Sequence, residues 1–260
     1  AWMTDELTSF VYSAPATVTL SLNQDVYYAD DSLILTAAAS GATYWLSTET
    51  QSSAESFDEL AGATYTYEFY DGDVLLHTTT GIAGASVSYT IAANTFEPGS
   101  EHNFYVRAYA TPSEGAEGTT KDSDPIAKTA QSSIVWDDAN AALEVLKGGI
   151  AVEKTTEETA DGKVQTTNSV YANNGAYSVV ASGIGATIRG ADATVSYTYT
   201  LTPEDGEAQT LEDYTNYVPQ AGSYTLSVEV EATDGILTYQ YTLPITYLVN
   251  VQANQLSDID

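Results

Sequence analysis

Ser223-Tyr224-Thr225-Leu226-Ser227-Val228-Glu229-Val230-Glu231 alternates without a break. Tyr224, Leu226, Val228 and Val230 point one way; Thr225, Ser227, Glu229 and Glu231 point the other. That is the period of a half-buried strand. The same alternation runs through Val195-Tyr197-Tyr199-Leu201, Leu237-Tyr239-Tyr241-Leu243, Phe104-Val106-Ala108 and Val18-Leu20-Leu22. Aromatic and β-branched residues, the types that suit a pleated surface, fill these runs. Between them stand Asp71-Gly72, Pro98-Gly99, Asp161-Gly162, Asn174-Gly175, Asp205-Gly206 and Asp234-Gly235, which supply the positive φ angles of tight turns. Many short strands with turns between them predict an all-β chain built as antiparallel sandwiches.

The chain has 260 residues, enough for two domains of ordinary size. It carries 36 Asp and Glu against 7 Lys and Arg, a net charge of −29. Hydrophobic residues make up 43%, so the acidity does not prevent a buried core. A polyanion with a few dispersed bases repels nucleic acid and anionic membranes, and neither is expected as a partner. No run approaches the roughly 18 apolar residues that span a bilayer. With no Cys there is no disulfide framework, thiol chemistry or Cys-bound zinc. The start, Ala1-Trp2-Met3-Thr4-Asp5-Glu6, lacks the basic and apolar parts of a signal peptide. It reads as a chain whose initiator Met was excised, or as one whose signal was already removed; the first reading is preferred.

One segment departs from the pattern. Asp137-Asp138-Ala139-Asn140-Ala141-Ala142-Leu143-Glu144-Val145-Leu146-Lys147-Gly148 predicts a short helix, capped by Asp137 and ended by Gly148-Gly149. A hairpin turning at Asp161-Gly162 should follow. The expected organisation is an arm at 1–14, a first sandwich at 15–130, a second at 131–252 opened by that helix, and a tail at 253–260. There is also an internal echo. Ala37-Ala38-Ala39-Ser40-Gly41 followed by Tyr65-Thr66-Tyr67 parallels Val179-Val180-Ala181-Ser182-Gly183 followed by Tyr197-Thr198-Tyr199.

Phe96-Glu97-Pro98-Gly99-Ser100-Glu101-His102-Asn103-Phe104-Tyr105-Val106-Arg107-Ala108 resembles the E–F corner of fibronectin type III domains. The resemblance implies a tyrosine corner, in which a Tyr hydroxyl bonds upstream backbone. Here His102 stands in that place, which puts the bond in doubt. Ala221-Gly222-Ser223-Tyr224-Thr225-Leu226-Ser227-Val228, with Asp234-Gly235 after it, looks like the matching strand of PKD and related Ig-like domains, and Tyr224 keeps the corner Tyr. The motifs span about a dozen residues each. They imply two tandem Ig-like sandwiches, a fold shared by adhesins, enzyme accessory modules and phage virion proteins, so fold alone does not name a function.

Catalysis finds little support. No Gly-x-Ser-x-Gly elbow occurs, and His77 and His102 read as structural or surface residues. Abundant carboxylates make any pairing of two uninformative. Gly183-Ile184-Gly185 lacks the later Gly and Lys of a phosphate loop and reads as a tight turn. No bound cofactor is expected, with Ca²⁺ as the one candidate. Asp30-Asp31, Asp71-Gly72-Asp73 and Asp122-Ser123-Asp124 are acidic pairs of the kind Ca²⁺ favours. Solvated turn carboxylates are their plainer reading; the sharper one has Asp122 and Asp124 holding Ca²⁺ at the junction of the two domains. Trp45 with Tyr44, Tyr70 and Tyr105 would bind sugars or protein partners where exposed. For Trp45 a place in the core is preferred. Trp2, Phe10 and Tyr12 lie on an arm too short to bury them, and are the candidate assembly contact.

These readings predict a non-enzymatic structural or decoration protein on a particle surface, a tailed-phage virion above all. Its partners would be other structural proteins of the same assembly and further copies of itself, with a glycan as a possible ligand. The alternative is a secreted or cell-surface adhesion or carbohydrate-binding module of a bacterium or archaeon.

Overall fold

Residues 9–254 are described by a computed structural model, and their regular structure is almost wholly strand. The helical content is two single 3-10 turns, Gln51–Ser53 and Thr111–Ser113. Along the chain two compact units follow one another, Ala1–Ser133 and Ile134–Asp260.

The first unit runs β1 (Phe10–Tyr12), β2 (Thr17–Leu22), β3 (Leu33–Ser40), β4 (Thr43–Leu46), β5 (Glu55–Ser56), β6 (Thr64–Asp71), β7 (Val74–Ile82), β8 (Val87–Ile91), β9 (Glu101–Ala110), β10 (Lys121–Asp122) and β11 (Ile126–Thr129). A three-stranded sheet, β2-β3-β8, packs on a five-stranded one, β10-β9-β6-β7 with β11 also on β9. Alternation decides what faces inward: Leu33, Leu35, Ala37 and Ala39 from β3 meet Tyr65, Tyr67 and Phe69 from β6 and Phe104, Val106 and Ala108 from β9. Burying each large side chain contributes about 1.5–3 kcal/mol. The alanines matter for their smallness, because they leave room for tyrosine rings that cross between the sheets. Ala39 lies beyond the last β3–β8 pair, Ala37–Val87, so its amide has no strand partner on that side. The Tyr67 hydroxyl accepts from it at 3.1 Å. The Tyr65 hydroxyl likewise accepts from the Ala42 amide at 3.1 Å and donates to Asp58 at 2.5 Å.

The second unit runs β12 (Ile134–Asp137), β13 (Ala142–Lys147), β14 (Ile150–Ala151), β15 (Thr155–Thr159), β16 (Gly162–Tyr171), β17 (Ser178–Ser182), β18 (Gly185–Ile188), β19 (Ala191–Asp192), β20 (Thr194–Pro203), β21 (Gln209–Thr210), β22 (Gly222–Thr233), β23 (Thr238–Thr242) and β24 (Ile245–Gln252). Its large sheet, β15-β16-β24-β22-β20-β21 with β23 on β22, accompanies the smaller β14-β13-β17 and β12-β18-β19. Here Tyr199 repeats the lock of Tyr67: its hydroxyl accepts from the Ala181 amide at 2.8 Å. The two sequence echoes, Ala-Ser-Gly and Tyr-Thr-Tyr, therefore meet through the same bond in both units.

Three expectations are corrected. The helix at Asp137–Gly148 does not exist; β12 ends at Asp137 and β13 follows. Leu143 and Val145 alternate into the core opposite Ala181 and Val179 of β17. Helix propensities differ by less than about 1 kcal/mol per residue, and burial on a paired strand outweighs them. The sheets are not purely antiparallel either: β16 runs parallel to β24, Lys163 beside Ile245 and Thr167 beside Val249. Gly162 starts that pair at φ +125°, where a Cβ would stand 2.1 Å from the Pro244 carbonyl oxygen. Finally, residues 10–12 are no free arm. They form β1, paired to β4, and Tyr12 packs edge-on to buried Phe57 at 5.8 Å. Trp2 lies outside the described residues.

Candidate functional site

The outer face of the five-stranded sheet gathers the side chains with most to offer a partner. Because Tyr67, Phe69, Phe104 and Val106 point inward, Glu68, Tyr70, Tyr105, Arg107 and Tyr109 point outward. Register sets the neighbours: Tyr70 opposite Tyr105, Glu68 opposite Arg107, and Arg107 opposite Asp122. The Tyr70 and Tyr105 rings stack at 4.9 Å with 5° between planes. The Arg107 guanidinium lies 5.6 Å from the centre of the Tyr70 ring. It grips Asp122 with both forks, Nε to Oδ1 at 2.8 Å and Nη2 to Oδ2 at 3.0 Å. Glu68 accepts from the Tyr70 hydroxyl at 2.9 Å and from the Tyr109 hydroxyl at 3.4 Å.

The electrostatics follow from these contacts. Partial burial pushes Tyr70 and Tyr109 up, and Glu68 adds to both shifts. Burial also raises Tyr105, against the pull of Arg107. The hydrogen bonds that Arg107 donates to Asp122 hold it firmly in its charged form. With both partners over a third exposed, the ion pair contributes about 1 kcal/mol at most. Its value is positional: it fixes the guanidinium beside the ring.

The arrangement limits the chemistry available. Tyr70 and Tyr105 cover each other's faces, so they are not a flat platform for stacking a sugar. They present edges and hydroxyls, beside Leu75, which is half exposed. Such a surface suits hydrogen bonding to a neutral polar partner with one small apolar contact.

A second cluster resembles catalytic machinery by distance. Ser100 Oγ is 2.7 Å from His102 Nε2, and His102 Nδ1 is 2.6 Å from Asp71 Oδ2. Asp71 Oδ1 accepts from the Asn103 amide at 2.9 Å. A cavity of about 580 Å³ lies alongside, with Asp71, His102 and Lys128 in its wall. The hydrogen-bond directions do not match catalysis. The Ser100 hydroxyl donates to the Glu97 carbonyl at 2.6 Å. The serine proton is thus turned away from His102. A triad needs Nε2 to accept from the serine. The ring, whose side chain is 8% exposed, sits against Phe96 at 3.7 Å between centres. His102 thus links Ser100 to Asp71 at the end of β6.

The remaining expected site residues scatter. Asp122 belongs to Arg107, and Asp124 is exposed, its backbone carbonyl accepting from the Ser123 hydroxyl at 3.1 Å. No group of three or more His, Asp or Glu fit to hold a metal ion occurs among the described residues. Asp122 lies in β10 and Asp124 just after it, both in the first unit. Trp45 is half-buried on β4 opposite Val11 and takes no part in the core, contrary to expectation. His77 stacks on Tyr89 at 4.7 Å. Gly183 makes the expected tight turn at φ +72°. Glu68 and Tyr109 were missed, and Asp71 was read only as part of an acidic turn and not as the partner of His102, because strand register alone brings residues so far apart in sequence together.

The chain matches no family model and no curated protein. Among solved structures it is similar to the fibronectin(III)-like modules of Clostridium thermocellum CbhA, with 12% identity and a TM-score of 0.27 over 93% of this chain and 98% of that one. The fold described above therefore rests on its own strand order, register and core.

Proposed function

We propose that this chain is a non-enzymatic structural protein exposed on a particle surface, a decoration, head-fibre or tail-associated protein of a tailed-phage virion. In this reading the units are tandem Ig-like sandwiches, the first fibronectin type III-like and the second PKD-like. Their partners are the other structural proteins of the assembly. One observation carries the reading: no described Asp or Glu is buried, and the buried polar residues are Thr66, Ser123, Ser133, Gln165 and Thr167. The acid excess therefore lies mainly on the surfaces of both units, where it keeps an exposed protein soluble and unattractive to other polyanions. The bond from the Ser100 hydroxyl to the Glu97 carbonyl, which turns the serine proton away from His102, favours a role without catalysis. Mass spectrometry of particles purified from the producing cells tests the proposal. The chain should appear in fixed ratio to the main shell protein and be cut by protease on intact particles. Its recovery only as free protein in the medium overturns it.

The face built on Glu68, Tyr70, Tyr105 and Arg107 favours a second reading, a secreted or cell-surface adhesion module that binds a glycan or protein. Binding on a glycan array that Tyr105→Ala abolishes would support it.

A further inference from the structure

The two lateral sides of the first unit's sandwich differ in chemistry. On one side β10 and β11 carry Lys121, Asp122 and Lys128, with Asp124 and Pro125 between them. Charges and proline are the usual guards against addition of another strand. On the other side lie β7 and β8, and from Val74 to Ile91 there is no Asp, Glu, Lys, Arg or Pro. Val74, Leu75 and Ile82 are 62%, 50% and 66% exposed there. The stacked rings of His77 and Tyr89 help close this side between the sheets.

The backbone of β7 is open as well. In an antiparallel pair, alternate residues turn their amide and carbonyl toward the partner. The bond from the Ala83 amide to the Ala63 carbonyl, 2.9 Å, sets the phase. His77, Thr79 and Gly81 then bond to β6, while the amides and carbonyls of Thr78 and Thr80 and the amide of Ile82 point off the edge. The Ile82 carbonyl takes the Ala85 amide at 3.0 Å. A bulge in the β6–β7 pairing, between Phe69 and Tyr70, leaves Leu76 unpaired and ends the regular edge near His77. The open ladder is therefore the short run Thr78–Ile82.

We propose that β7 is a self-pairing contact, through which two copies of this chain join their five-stranded sheets antiparallel about a two-fold axis at Thr80. Thr80 then faces Thr80 of the second copy, and each Ile82 amide bonds the Thr78 carbonyl opposite, about four main-chain bonds in all. Thr78 and Ile82 become cross-strand neighbours on the outer face, a favourable β-branched pair. Charge selects a second copy as the occupant. Two chains of −29 approach each other best where neither presents a carboxylate, and a neutral self-complementary edge needs no basic partner. The inference holds whichever particle or surface carries the chain.

Because the chain has no Cys, Thr80→Cys introduces its only thiol. Facing residues of a hydrogen-bonded antiparallel pair have Cα atoms about 5.5 Å apart, within the span of a disulfide. Under mild oxidation in about 1 M salt, where the screening length is about 3 Å, full-length T80C should form a covalent dimer. It should do so about tenfold faster or more than T156C on the exposed edge strand β15, since paired thiols are held at high effective concentration. Wild-type protein should sediment as a dimer, and Thr80→Glu, at an exposed position, should sediment as a monomer that melts where dilute, dissociated wild-type protein melts. A wild-type chain that stays monomeric at millimolar concentration overturns the proposal. So does a dimer that T80E leaves intact, or cross-linking of T80C no faster than that of T156C.

Discussion

Replacing Tyr67 by Phe deletes one oxygen and keeps the ring that fills the core. The Ala39 amide then loses its acceptor in a place water does not reach, since Ala39 is 3% exposed and Tyr67 fully buried. Leaving one buried donor unsatisfied costs about 1–3 kcal/mol, whereas loss of the ring would cost about 3–5. Tyr199→Phe removes the equivalent bond to Ala181, itself 5% exposed, and should cost a similar amount in the second unit. Urea unfolding followed by tyrosine fluorescence and circular dichroism measures both. Each variant should lower the midpoint of its own unit's transition without changing the slope, so that the loss is one of stability and not of compactness. The two losses should add in the double variant, because no residue is shared by the two bonds. A loss below about 0.5 kcal/mol in either variant would refute the view that these hydroxyls tie the sheets together.

Asp71→Ala should destabilise the first unit by about 3 kcal/mol, because it strands the buried His102 donor, while the double variant with His102→Phe should recover most of that loss; additive losses in the cycle would refute the pairing. Gly162→Ala should cost about 3 kcal/mol or more, from positive φ and the clash with the Pro244 carbonyl, and an unchanged melt would contradict that geometry. Burial pushes Tyr217, Tyr241 and Tyr247 up to about 12, with Asp138 adding at Tyr241 and Glu144 at Tyr247. Below pH 10 these phenols are neutral folded or unfolded. Above it the unfolded chain ionises first, so stability should fall as pH rises from about 10 to 12. Phenolate absorbance should show these residues titrating late, and a single titration of all tyrosines near pH 10 in folded protein would count against their burial. EDTA should leave the melting temperature unchanged, since Arg107 already holds Asp122; a lowered midpoint would reveal a structural ion.

The strands were legible wherever one face is wet. Ser223–Glu231, Val195–Leu201 and Phe104–Ala108 each lie within a strand of the expected phase, because alternation records burial directly. The turns at Asp71-Gly72, Asp161-Gly162 and Asp234-Gly235 were legible through the backbone angles they require. Ala142–Lys147 was misread because its good helix formers spoke louder than the two-residue spacing of Leu143 and Val145, and the strand that overrides them, β17, begins dozens of residues later. The parallel partnership of β16 with β24 left no local mark for the same reason. The site was less legible than the fold. Tyr70 and Tyr105 could be named from sequence, but their mutual stacking, and with it the loss of a sugar platform, depends on register. The join of Asp71 to His102 is one that no spacing announces. The net charge was legible as a number; its meaning came from finding no Asp or Glu among the buried residues described.

The proposed role as an exposed particle protein is tested most directly by labelling intact particles from the producing cells with gold-tagged antibodies against this chain. Regularly spaced label on the particle surface is the result the account predicts. Label confined to the cell envelope or to free protein, with bare particles, would contradict it.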